Sequence, residues 1–166
     1  MTYLLDANVF IEAKNRYYGV DFAPGFWDWL QHSGNSGLAM SVETVLNVEL
    51  VPRGDEVSAW ALANKQMFRS MDATALTSMR LVAKWANDRA HSYRQSAIAD
   101  FLGKADSELV AYAHAHKVTV VTHEQPAPQA MKEIKIPDAC KALDVDYINT
   151  FTMLRAEHAR FVLGAN

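Results

Sequence analysis

Two apolar runs in this chain are too short to be anything but strands, and both stop on an acid. "TYLLD" closes on Asp6, and "VTVVTHE" closes on Glu124. Three or four leucine or β-branched residues between polar neighbours fit a strand buried on both faces, as in a parallel sheet. Such a sheet needs helices between its strands, and the rest of the chain must supply them.

The sequence does. Phe10 to Tyr18 has helical character, ending near Gly19, and a Pro/Gly turn leads into an aromatic helix from Phe26 to Gln31 closed by Gly34. "GLAMS" reads as a second strand, followed by a helix from Val42 to Leu50 with Val45, Val48 and Leu50 available for burial. Pro52 and Gly54 end it. Further helices are expected over Asp55–Met67, over 72–89 with Leu76, Met79, Val82 and Trp85 as the apolar stripe, and over Tyr93–Leu102, broken by Gly103. Leu109, Val110 and Ala113 mark a helix with Asp106 in its first turn. Pro126 and Pro128 force a loop, Pro137 starts a helix to Leu143, "VDYI" is a last strand, and Thr150 caps a final helix carrying Phe151, Leu154 and Phe161. Helices alternating with short apolar strands predict an α/β fold with a mostly parallel sheet. At 166 residues, with no repeat or linker, residues 1–166 are expected to form a single domain.

In an open parallel sheet the ligand site lies outside the carboxyl ends of the strands. If both strands are central, Asp6 and Glu124 share one rim. Asp106 joins them, because its helix must carry the chain back to the opposite end of the next strand. A fourth acid is wanted from the helix after the second strand, where Glu43 and Glu49 are the candidates. Clustered carboxylates repel by roughly 4 kcal/mol per pair at about 4 Å and an effective dielectric near 20. Protonation or a divalent cation relieves this, and an all-oxygen set selects Mg²⁺ or Mn²⁺ over zinc. Such a centre suits phosphodiester hydrolysis.

Several other residues have two readings. Asp6 and Asp106 could be helix caps, and Glu124 a solvated loop acid. Asn8 either orients the site or satisfies a turn, and Thr122 either supports Asp6 or ends a strand. His123 could touch a substrate phosphate or simply be exposed. His114 and His116, two apart on a helix, point to nearly opposite faces and do not pair as zinc ligands. Arg80, Lys84, Arg89 and Arg94 form either a phosphate-tracking strip or a solvated helix face. The four tryptophans and Cys140 are read as core.

The net charge of −3 argues against a generally basic, nucleic-acid-coating surface. One cysteine excludes an intramolecular disulfide and a thiolate cluster. With no signal-like start and no apolar run near about 18 residues, a cytoplasmic protein without membrane attachment is expected.

"LLDANVF" and "ADSELVAYAHAHKVTVVTHE" resemble the two signature stretches of the PIN-domain family, which includes VapC-type toxins. "EAKNRYYGVDFAPGFWDWL" and "KIPDACKAL" look like a bacterial subgroup described in general terms as PIN-like or toxin-like. The resemblance spans nearly the whole chain and implies a PIN-like three-layer fold with a short sheet flanked by helices. It implies catalytic and metal-ligand roles for Asp6, Asp106 and Glu124, and for Glu49 as the helix acid, since "VEL" before "GDE" is similar to the family's helix end. It also implies Mg²⁺/Mn²⁺-dependent RNA cleavage, as the toxin of a type II toxin–antitoxin pair, with an RNA substrate, a cognate antitoxin protein and a homodimer. The chain departs from the pattern with Ala7 where Thr is common and Glu124 where Asp is usual. Two other functions compete: a degenerate PIN module that binds RNA or a protein partner without cutting, and a structural subunit docking through its aromatic N-terminal segment.

Overall fold

The computed structural model describes residues 1–88 and 92–162. Five parallel strands form the sheet: β1 (Tyr3–Leu5), β2 (Ala39–Val42), β3 (Phe68–Arg69), β4 (Thr119–Val121) and β5 (Tyr147–Ile148), in the order β3-β2-β1-β4-β5. From β1 the chain first builds outward to β2 and β3, then returns to lay β4 and β5 on the other side. The direction of winding therefore reverses between β1 and β4, which is where open parallel sheets place their crevice. Leu5 is level with Val121, and Val121 with Ile148, so β1 and β4 end together. Each residue of β1 and β4 is fully or almost fully buried, as two-sided coverage requires.

Among the described residues, eight α-helices surround the sheet: α1 (Ala7–Glu12), α2 (Pro24–Asn35), α3 (Glu56–Ala63), α4 (Ala73–Ala86), α5 (Gln95–Leu102), α6 (Ala105–His116), α7 (Ile136–Ala142) and α8 (Thr150–Ala156). The central one is α6, which packs on β1, β2 and β4 and is itself covered by α4, α5 and α7. Leu109, Val110 and Ala113 are buried in it as the spacing predicts, but so are Ala105, Ser107, Ala111 and Tyr112. A helix with neighbours on every side shows little amphipathic pattern.

Several expectations are corrected. The run Phe10–Tyr18 belongs to a longer unit in which α1 widens into a π-helix over Ala13–Tyr17. Val42–Leu50 contains a second π-helix over Val45–Leu50, and Val48 lies 64% exposed on it, not buried. The aromatic helix starts at Pro24, which takes the first position where its missing N–H costs nothing. Gly34 does not close that helix. It lies within α2, where a Cβ would stand 3.1 Å from Met67 Cβ. The Asp55–Met67 run stops at Asn64, whose side-chain amide donates to the Trp60 carbonyl at 2.8 Å and competes with the helix.

In α4 the buried stripe is Ala75, Ser78, Val82 and Ala86, whereas Leu76 is 54% exposed and Met79 and Trp85 are half-buried. Small side chains let α4 lie close on α6, so residue size decided the face more than hydrophobicity. Strand β3, two residues long, carries no periodic signal and was not expected. Asn149, not Thr150, caps α8, accepting from the Thr152 amide at 2.9 Å. Phe161 lies beyond α8 and packs against Tyr18 and Phe26. The tryptophans and Cys140 are buried or half-buried, as expected. No helix among the described residues is long and apolar enough to cross a membrane.

Candidate functional site

Asp6 follows β1 directly and occupies the N-cap position of α1, yet its side chain makes no cap bond. Instead its Oδ2 accepts from Thr122 Oγ1 at 2.8 Å, across the junction of β1 and β4. The same Thr122 oxygen accepts from Asn8 Nδ2 at 3.2 Å and from the Glu124 amide at 3.1 Å. Asn8 Oδ1 in turn accepts from the His123 amide at 3.1 Å. Asn8 and Thr122 each tie the end of β1 to the end of β4.

Asp106 lies in the first turn of α6 but is not its cap, a position taken by Lys104. Glu49 is half-buried in the π-helix after β2, and Glu43 is exposed. The i→i+5 bonding of that π-helix changes which side chains share its face relative to an α-helix. Glu124 is not a solvated loop acid. Its Oε2 accepts from the Ile136 amide at 2.8 Å, the first N–H of α7, and its Oε1 lies 3.5 Å from Lys135 Nζ.

These four carboxylates act on one another. Burial, reinforced by Asp106, Glu124 and Glu49, raises Asp6 to about 8 against the pull of the Thr122 hydroxyl. Burial raises Asp106 to about 6, with Glu124 adding to the rise and Lys104 and Lys135 opposing it. Burial likewise raises Glu49 to about 6, reinforced by Asp106 and opposed by Lys104. Glu43 takes no part in this set. Desolvation plus like-charge neighbours in a crevice is a pattern typical of functional sites.

Sequence reasoning missed Lys104 and Lys135 as the cations facing the acids. The signal was present, since Lys104 stands two residues before Asp106 and Lys135 begins the turn that Glu124 reaches. His123 is half-buried, with Nε2 2.9 Å from Thr150 Oγ1. Burial holds it below its ordinary value, with Glu12 opposing. His114 pairs with Ser78 at 2.9 Å and His116 with Asp72 at 2.9 Å, so the two histidines have separate partners. Arg80, Lys84 and Arg94 are exposed, and Arg89 lies outside the described residues.

The donor set suits a hard divalent ion: four carboxylates, no thiolate, no imidazole. Among the described residues, however, no three His, Cys, Asp or Glu side chains stand ready to hold a metal ion. Gathering them on one ion requires side-chain rearrangement.

Residues 3–161 match the family described as "Domain of unknown function (DUF4411)". The chain belongs to that family. A search of curated proteins returns no match for this member. Among solved structures, the family member is similar to a chain of the crystal structure of VapBC2 from Rickettsia felis bound to a DNA fragment from their promoter. The superposition covers 90% of this chain and 98% of that chain, with a TM-score of 0.52 and 13% identity. At that identity the likeness speaks for the fold. With its five parallel strands flanked by helices, the fold is PIN-like, as the two signature stretches led one to expect.

Proposed function

We propose that this chain is a Mg²⁺- or Mn²⁺-dependent endoribonuclease, with Asp6, Glu49, Asp106 and Glu124 as its metal-binding and catalytic acids and Asn8 and Thr122 as supports. One observation carries the reading: acids from separate elements act on their neighbours beside the winding reversal between β1 and β4, with Asp6 raised by burial and by Asp106, Glu124 and Glu49, Asp106 raised by burial and Glu124, and Glu49 raised by burial and Asp106. Acids assembled from sequence-distant elements, left partly uncompensated by Lys104 and Lys135, call for a cation. A bound ion would polarise the scissile phosphate and lower the pKa of an attacking water. Thr122 fixes the orientation of Asp6, and Lys104 and Lys135 provide positive charge at the rim for an approaching phosphodiester. The resemblance to VapC-type toxins, together with the likeness to a chain of VapBC2, supports the toxin role with an antitoxin partner.

A second reading is a PIN-like module that binds RNA or a protein without cutting. Glu124 favours it, since that side chain is engaged by the Ile136 amide and Lys135 and stands in no ready-made metal cluster. Incubation of mixed cellular RNA with Mn²⁺, with EDTA, and with the Asp106→Asn variant separates the two. Cleavage lost both in EDTA and in Asp106→Asn is the expected result. Absence of cleavage together with a melting temperature unmoved by Mn²⁺ would replace the nuclease by the binding module. Growth arrest on expression, relieved by Asp106→Asn, is the expected sign of a toxin.

A further inference from the structure

The carboxylate site does not end at Glu124. An open cleft of 370 Å³, lined by Asn8, Glu12, Arg16, Tyr17, His123 and Glu124, continues from it along the same edge of the sheet. That volume lies in the range of small-ligand pockets. One wall comes from the π-helix after α1, a conformation found mostly as short insertions at functional sites. It places Glu12, Arg16 and Tyr17 on the cleft together.

The aromatic part is backed by Phe151. Tyr17 meets Phe151 edge-on at 5.0 Å and His123 meets it edge-on at 5.8 Å, while Tyr17 and His123 lie 6.2 Å apart with a 31° tilt. Tyr17 is still 44% exposed, so an aromatic ring held in place from behind presents its free surface to the cleft. Beside the ring lies an ion pair, with Glu124 also lining the cleft and held by Lys135 and the Ile136 amide. Arg16 Nε donates to Glu12 Oε2 at 2.9 Å, with the arginine side chain 67% exposed and the glutamate 27%. A carboxylate only accepts and a guanidinium only donates. Guanine alone among the RNA bases sets two adjacent donors, N1–H and N2–H, beside an acceptor, O6. Asn8 is already bonded at both ends, so it forms wall and does not read.

We propose that this cleft is a nucleobase subsite, where an unpaired base beside the scissile phosphate stacks on Tyr17 and presents its Watson–Crick edge to Glu12 and Arg16, with guanine preferred. Single-stranded RNA is read in this manner, by stacking on aromatic side chains and hydrogen bonds to exposed base edges. The placement of the scissile phosphate rests on the nuclease reading above. The base site itself rests on the cleft.

The test is binding of fluorescein-labelled uridine octamers carrying a single central A, C or G, measured with Mg²⁺ in the non-cleaving Asp106→Asn background. The G octamer is expected to bind about tenfold tighter than all-uridine. Tyr17→Ala is expected to weaken it about tenfold, Tyr17→Phe to retain binding, and Glu12→Gln to abolish the preference for G. Should Tyr17→Ala fail to fold by circular dichroism, the half-exposed Glu12→Gln change still decides the matter. Binding without base preference, binding untouched by Tyr17→Ala, or no binding at all overturns the subsite. The two readings fail separately. Cleavage by the wild-type chain with unchanged base preference in Glu12→Gln removes the subsite and leaves the nuclease, whereas G-selective binding without any cleavage removes the nuclease and leaves the subsite.

Discussion

Among the described residues, three helices begin behind an aspartate in extended conformation, and only two of those aspartates are caps. At the start of α3, Asp55 accepts from the Val57 and Ser58 amides at 3.1 and 3.2 Å. At the start of α4, Asp72 accepts from the Ala75 amide at 2.8 Å. Burial nudges Asp55 upward, but the Ser58 amide, Arg53 and Lys14 outweigh it and hold the carboxyl below its ordinary value. The Ala75 amide and His116 do the same for Asp72. Asp6, at the equivalent position of α1, turns away from its own helix toward Thr122 and is driven up to about 8. Local sequence makes all three alike. What separates them is the surroundings: the segment that follows β4 beside β1 supplies the Thr122 hydroxyl and Glu124, and Asp106 of α6 and Glu49 of the second π-helix add their charge.

That contrast can be broken at several points. The largest effect is expected on chemistry: Asp106→Asn should lower cleavage of an RNA pool by at least about a hundredfold, since a metal-centred charge contribution is worth several kcal/mol. Next comes the stability of the metal-free protein. Asp6, Asp106 and Glu49 keep their protons when folded at pH values where the unfolded chain has lost them. Stability should therefore fall as pH rises from the ordinary carboxylate range near 4 toward about 8, and level off above it. Asp6→Asn should flatten this slope and stabilise the metal-free chain at pH 8 by on the order of a few kcal/mol, measured by urea unfolding across pH. A chain more stable at pH 8 than at pH 5 without metal would contradict the buried-acid picture.

A divalent cation should act in the opposite sense to the acids' repulsion. At about a hundred times its dissociation constant, Mn²⁺ should add roughly 2.7 kcal/mol, and Asp6→Asn should diminish that gain. For the capping side of the comparison, Asp55→Ala should cost about 1 kcal/mol with RNA cleavage unaffected. The smallest effect is reserved for Glu43→Gln, an exposed position, expected within about 0.5 kcal/mol of wild type and with cleavage unchanged. Loss of cleavage on this change would return Glu43 to the site in place of Glu49.

The parts of this site legible in the sequence were those set by strand ends. Asp6 and Glu124 follow apolar runs directly, and Asp106 follows from the direction a connecting helix must take. Glu49 was harder, because the choice against Glu43 depends on a π-helical turn that periodicity does not reveal. The engagement of Glu124 by the first amide of α7 depends on how the loop between β4 and α7 closes, which no local pattern encodes. Strand β3 was missed because two residues have no period, and the buried face of α4 because close helix packing selected Ala75, Ser78 and Ala86 over Leu76.

The bonds around Thr122 also fix a direction. A backbone amide can only donate, so the His123 N–H sets which end of the Asn8 amide is oxygen, and the NH₂ end must then face Thr122. The Glu124 amide arrives at the same hydroxyl as a second obligatory donor. With both lone pairs engaged, the threonine proton has one place to go, Asp6 Oδ2. Asp6 Oδ2 has one lone pair committed to Thr122, which leaves Oδ1 the less encumbered oxygen for a proton or a cation. Two main-chain amides of the loop after β4 thus set, through two side chains, which oxygen of a carboxylate at the end of another strand receives the threonine proton.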